Sequence, residues 1–143
     1  GHEGCVENEN DVTKMKQIYL QNVFDGGRRN LKSETIDKFN THEYADKKGR
    51  RGLGFDNPQL NPKAEATCGC VSDESFGHSG FTGTLAWADP EEGIVYIFLS
   101  NRVYPDASNR KLLTLSTRTK IQEVIYEAIN KKQSSAQLLG LNP

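Results

Sequence analysis

SFGHSGFTGTLAWADPEEGIVYIFLSNRVY, residues 75–104, is the most apolar long run of the chain, and its reading decides the fold. The pattern is strand, turn, strand, turn, strand. Thr82, Leu85 and Trp87, then Ile94, Val95, Tyr96, Ile97, Phe98 and Leu99, are β-branched, aromatic and aliphatic types that suit a pleated, buried surface. Asp89-Pro90-Glu91-Glu92-Gly93 between the last two runs is turn chemistry, with proline presetting φ and glycine accepting positive φ. Ile94 to Leu99 is continuously apolar, which predicts a strand covered on both faces.

Helices flank this sheet. Upstream, Asn8 or Asn10 can cap a helix with Asp11 in its first turn, and Val12, Met15, Ile18, Tyr19 and Val23 recur at helical spacing on what should be its buried face. Asp25-Gly26-Gly27 ends it. A short second helix starts at Ser33-Glu34 with Ile36 and Phe39 as anchors. Residues 40–51 read as polar, basic loop, and Gly52-Leu53-Gly54-Phe55 as a short strand. Asn57-Pro58 and Asn61-Pro62 mark a loop over 56–67. Downstream, residues 105–110 form a turn. Leu115 to Asn130 is then an amphipathic helix with Ile121, Val124, Ile125, Ala128 and Ile129 inward and Lys120, Gln122, Glu123 and Glu127 outward. Residues 131–143 are a tail expected to fray. The fold class is α+β: an antiparallel sheet of three strands plus the short one, with N-terminal helices and a C-terminal helix packed on it, as one unit with its core at about 10–130.

The 143 residues suit one domain with a modest core. Only 35% are hydrophobic and mean hydropathy is −0.68, so a small core sits within much polar loop. A net charge of −1 gives no global field for nucleic acid or an anionic membrane. The basic clusters at 26–29 and 47–51 read as solvated loops. No run approaches the roughly 18 apolar residues of a membrane span. The chain starts without Met, which fits a processed or cut piece of a longer one. Cys5, Cys68 and Cys70 are an odd number, read as free thiols. Together with His2, His42 and His78 they show no metal-ligand spacing, and no motif calls for a cofactor. A Cys70 nucleophile working with His78 lacks a third, orienting group.

His78-Ser79-Gly80 is the one constellation with chemical character. Gly77-His78-Ser79-Gly80-Phe81-Thr82-Gly83-Thr84, followed by Trp87-Ala88-Asp89-Pro90 and Ile94 to Arg102, resembles the C-terminal part of the serine β-lactamase and penicillin-binding-protein family. The resemblance is to its class C β-lactamase, D,D-peptidase and esterase branch. His78-Ser79-Gly80 is similar to that branch's third motif, Lys-Thr-Gly or His-Thr-Gly, with serine for threonine. Gly1-His2-Glu3-Gly4 before a helix resembles a family GHAGL segment, with Glu3 and Cys5 departing from it. Gly52-Leu53-Gly54-Phe55 resembles a family strand, and Ile121 to Ile129 its closing helix. The resemblance runs from Gly1 to about Ile129 and looks closest to modules fused behind family 3 glycosidases in Bacteroidetes.

The resemblance implies acyl transfer by a serine from Ser-x-x-Lys, assisted by Tyr-x-Asn or Ser-x-Asn. It implies a third-motif strand that binds a substrate carboxylate. His78 would offer positive potential or a hydrogen bond, Ser79 its hydroxyl, and Phe81, after Gly80, an N–H to the oxyanion hole; one such donor contributes about 2.7–4 kcal/mol. The only Ser-x-x-Lys is Ser108-Asn109-Arg110-Lys111, after the third motif and in a turn, and neither form of the second motif occurs. The expectation is the third-motif part of a larger hydrolase acting on β-lactam, D-alanyl peptide or ester, inactive alone. Its partners would be the rest of its domain and a carboxylate-bearing cell-wall ligand, and its location periplasmic or exported. The alternative is a non-catalytic β-lactamase-like binding or scaffold module; a self-contained interaction domain fits less well. The edge strand Ile94–Leu99 would pair with the missing part or self-associate.

Overall fold

A computed structural model describes residues 8–21, 32–41, 51–58 and 66–138. The element order is α1 (Glu9–Gln21), α2 (Ser33–Asn40), β1 (Phe76–Ser79), β2 (Leu85–Asp89), β3 (Ile94–Phe98), α3 (Lys111–Thr114) and α4 (Thr117–Leu138). The strands form one antiparallel sheet in the order β1-β2-β3. The α+β reading holds.

The register assigns the faces. Gly77, Trp87 and Tyr96 stand opposite one another, as do Ser79, Leu85 and Phe98, so these residues share one face. Phe76, His78, Ala86, Ala88, Val95 and Ile97 take the other. The first face carries the core of Leu85, Trp87 and Tyr96, with Ile125 of α4 packed against it. α4 is fastened there twice: Tyr96 donates its hydroxyl to the Arg118 carbonyl at 3.0 Å, and Tyr126 donates to Asp89 Oδ2 at 2.6 Å. α1 covers β2 and β3 on the opposite face, where Lys16 reaches Phe76.

Gly77 has no room for a side chain. A Cβ there would fall on the Ala86 carbonyl oxygen and the Trp87 indole. Neither can retreat, since one is ladder backbone and the other is buried. Gly77→Ala should therefore cost about 1–3 kcal/mol or more as overpacking, read as a lower urea midpoint. An unchanged midpoint would mean the β1–β2 register is misassigned.

Several expectations need correction. The short strand at 52–55 is a tight loop between two isolated bridges, Arg51 to Asp56 and Asp56 to Gly77. It docks along β1, and α2 is tied to its end by Asn57 Nδ2 donating to the Asn40 carbonyl at 2.8 Å. Thr82 lies in a turn, not a strand. β3 is only half-covered apart from Tyr96, Leu99 is exposed, and its outer edge pairs with no strand among the described residues. In α1, Asn8 is the cap, accepting from the N–H groups of Asn10 and Asp11, but Met15 is exposed and Lys16 is buried. The side chains of Ile18 and Tyr19, and all of Val23 and of 25–27, lie outside the described residues. Ile36 is buried as expected, while Phe39 is partly exposed. The closing helix is interrupted at Leu115-Ser116, where Ser116 takes φ 51°, and continues to Leu138 instead of fraying from 131. Ile125 faces the core as expected, but the fully buried residues of the helix are Gln122 and Tyr126, while Ile121 and Val124 are exposed.

Cys68 and Cys70 are bonded to each other, not free. The Cys68 N–H donates to the buried Gln122 Oε1 at 3.1 Å, which fixes the segment to α4. Cys5 lies outside the described residues.

Candidate substrate-binding edge

Hydrogen-bond directions alternate along a strand, and Gly77 sets the phase for β1. Its N–H and C=O exchange bonds with Asp56, at 2.9 and 2.8 Å, so they point away from β2. The main-chain groups of Ser79, two residues on, point the same way. The Asp56 bridge stops at Gly77, so the outer edge of β1 is open from Ser79 onward among the described residues. Such an edge offers an extended ligand an N–H and a C=O.

Beyond Ser79 the chain turns. Gly80 donates to the Thr84 carbonyl at 2.8 Å, and Gly83 donates to the Gly80 carbonyl at 3.0 Å. Phe81 is thus at the first corner of a turn, just past the strand, and 71% exposed. The turn is held from behind. Arg118 Nη1 donates to the Gly83 and Thr84 carbonyls, each at 3.2 Å, while the Arg102 N–H and the Ser100 hydroxyl both donate to the Thr82 carbonyl. Gly83 takes φ 94°, and any Cβ would meet Leu112 and Ser100, so only glycine fits there. Burial holds Arg118 below the usual guanidinium range and Arg102 nearby acts the same way, with Tyr96 opposing them. The Arg102 guanidinium stacks on the Phe81 ring, 4.6 Å from its centroid.

Of the four residues expected to bind substrate, Ser79, Gly80 and Phe81 line the open end of β1. His78 and Ser79 stand on opposite faces, so their side chains meet a shared ligand only around the strand edge. His78 is already engaged. One ring nitrogen, Nδ1, lies 2.6 Å from the Ser79 carbonyl, and the other, Nε2, lies 3.1 Å from Arg51 Nη2. Arg51 also lies with Nε 3.1 Å from Oδ1 of the buried Asp56. Ser108 and Lys111 are exposed, and the Ser108 hydroxyl donates to Asp106 Oδ2 at 2.7 Å. No cluster of three metal-binding side chains occurs among the described residues.

Sequence reasoning missed Arg51, Arg102 and Arg118. Arg51 was hidden in a basic cluster read as solvated. Arg118 carried a usable signal: a cation in a first helical turn opposes the helix dipole, so it needs another reason to be there.

An α+β sheet whose first strand, β1, runs with an open outer edge into a glycine-framed turn is therefore the frame in which the expected site residues sit. A sequence model of the Beta-lactamase family matches residues 14–118, well over half of the chain. The chain belongs to the β-lactamase family. It is 31% identical over 116 residues to a Salmonella enteritidis protein that carries the provisional name D-alanyl-D-alanine carboxypeptidase, covering 78% of this chain and 26% of that one. An Escherichia coli K12 protein of the same provisional name is 26% identical over 142 residues, covering 92% of this chain and 32% of its own length. The chain therefore spans about a quarter to a third of these relatives.

Proposed function

We propose that this chain is the substrate-binding part of a serine hydrolase that transfers an acyl group from a D-alanyl peptide, β-lactam or ester. The open edge of β1 at Ser79–Phe81 carries the reading. An extended acyl donor adds alongside Ser79, and the Phe81 N–H, on the pinned turn, donates to the oxyanion. A donor fixed before reaction needs no reorganisation as charge develops on the carbonyl oxygen. The nucleophile and its base come from outside this chain, which is inactive alone. The outer edge of β3 takes a strand from the rest of the domain. The relatives' provisional names point to a cell-wall substrate and an exported protein. The Cys68–Cys70 bond suits an oxidising compartment. No helix among the described residues is long and apolar enough to cross a membrane.

The test is acylation by fluorescent penicillin. The parent protein should label covalently, at a serine outside residues 1–143, and this chain alone should not. Labelling of Ser108 in the isolated chain would overturn the assignment of the nucleophile. A parent that binds peptide ligands without labelling would leave a non-catalytic binding module.

A further inference from the structure

The segment that leads into β1 reads Cys68-Gly69-Cys70, and its two cysteines are joined. The ring they close encloses only Gly69, which takes φ 69°. A cross-link restrains the unfolded chain more as the loop it closes lengthens, so a bond that spans so few residues adds little stability.

The segment is also anchored without the sulfurs. The Cys68 N–H donates to the buried Gln122 Oε1 of α4 at 3.1 Å. Past the ring, the Ser72 N–H and hydroxyl donate to the Asp89 carboxylate at 2.9 and 2.6 Å. Ala66 and Val71 pack against the core of Leu85, Trp87 and Tyr96. These contacts bracket the ring on both sides. When the S–S bond opens, they keep the two cysteines next to each other, so the bond can close again on the same partner. The bond is within reach of a reagent as well: Gly69 and Cys70 are exposed, and Cys68 is half-buried. Exposed disulfides are the class that exchanges with thiols.

We propose that Cys68-Gly69-Cys70 is a reversible redox site that exchanges with a dithiol. A thiolate of the dithiol attacks Cys70 Sγ, the exposed sulfur. A mixed disulfide forms there, the Cys68–Cys70 bond breaks, and its electron pair leaves on Cys68 Sγ, which takes up a proton. The second sulfur of the dithiol then attacks the first and displaces Cys70, which is protonated in turn. The dithiol ends as a disulfide and the protein pair as two thiols, with two electrons transferred. The same path run backward restores the Cys68–Cys70 bond. The proposal does not rest on the substrate-binding reading.

The experiment incubates the parent protein, without denaturant, in dithiothreitol buffers of graded reduced-to-oxidised ratio. Alkylation with iodoacetamide and peptide mass spectrometry then read the state of each cysteine. Cys68 and Cys70 should become alkylated together in the folded protein and return to their mutual disulfide when oxidised dithiothreitol is restored. The urea midpoint of the reduced protein should match that of the oxidised one. With oxidised glutathione, Cys68→Ser, which leaves Cys70, should form a mixed disulfide severalfold faster than Cys70→Ser, which leaves Cys68. Alkylation only after unfolding, or a urea midpoint that falls clearly on reduction, would make the bond a structural cross-link and overturn the proposal. Reoxidation that joins Cys5 to either cysteine would overturn its reversibility. Equal rates in the two variants would overturn Cys70 as the sulfur attacked.

Discussion

Lys16→Met should stabilise the protein at pH 6 by several kcal/mol, and the gain should shrink as pH rises toward 10. Lys16 is 5% exposed on α1, and its Nζ has no hydrogen-bond partner among the described residues. Burial pushes its pKa from 10.5 down to about 7. The unfolded chain keeps the ordinary value. Below pH 7 the amine is charged in both states, and the folded state carries the whole penalty. Between 7 and 10.5 the unfolded chain binds a proton that the folded protein lacks, so wild-type stability rises with pH across that window. At about 1.4 kcal/mol per pKa unit the full penalty is about 4–5 kcal/mol.

Two rings work against this. Lys16 Nζ lies 3.8 Å from the Phe55 centroid and 4.9 Å from that of Phe76. Such contacts favour the cation by about 1–2 kcal/mol. Desolvation of an ammonium costs several kcal/mol, so burial wins and the net gain from Lys16→Met is about 2–4 kcal/mol. Methionine keeps the length and the contact with both rings. Guanidinium unfolding of both proteins at pH 6, 8 and 10 checks the result. Equal stability at pH 6, or a difference that does not change with pH, would show that the amine reaches water.

The same lysine shows what the sequence could and could not reveal. The three strands were legible because aromatic and β-branched runs were separated by Asp89-Pro90 and Gly93 turn chemistry. Those preferences are local, and they carry over into the fold. Helix faces were legible only where hydropathy decides. Met15 looked inward, yet the neighbouring Lys16 is the buried residue, with its ammonium over the Phe55 and Phe76 rings, a contact that hydropathy does not register. Ile121 and Gln122 are exchanged for a related reason: the Gln122 amide is buried because it accepts the Cys68 N–H, a partner 54 residues away. At the edge of β1, the motif showed Ser79, Gly80 and Phe81 but not Arg51. Its link to His78 depends on a loop laid beside the strand, 27 residues distant in sequence. Polar side chains with distant partners are invisible to a periodicity.

Asp89→Ala should destabilise the protein by about 3–5 kcal/mol, the other large effect. Asp89 ends β2 with 1% exposure, and its carboxylate ties two separate parts of the chain to that strand. The Ser72 hydroxyl donates to Oδ1 at 2.6 Å and the Ser72 N–H to Oδ2 at 2.9 Å, while Tyr126 of α4 donates to Oδ2 at 2.6 Å. Alanine leaves these donors without their acceptor inside the fold, at about 1–3 kcal/mol for each buried group that water cannot reach. Burial opposes ionisation of Asp89, but the donors from Ser72, Tyr126 and Glu92 together outweigh it and hold its pKa below the usual carboxylate value. For Tyr126, burial comes first and the negative charge of Asp89 adds to it, so its hydroxyl stays protonated and donating well above the usual range. The Asp89 contribution is therefore complete above pH 3.8 and is lost as pH falls through the lower, folded value. Asp89→Asn should lose stability at pH 7 yet unfold less steeply in acid than wild type. Tyr126→Phe, which removes one donor and leaves the Ser72 pair in place, should cost about 1–3 kcal/mol. The double variant Asp89→Asn with Tyr126→Phe should be more stable than the sum of the single losses predicts, because the two groups share one bond. Strict additivity in urea unfolding would mean that the bond between α4 and β2 does not form.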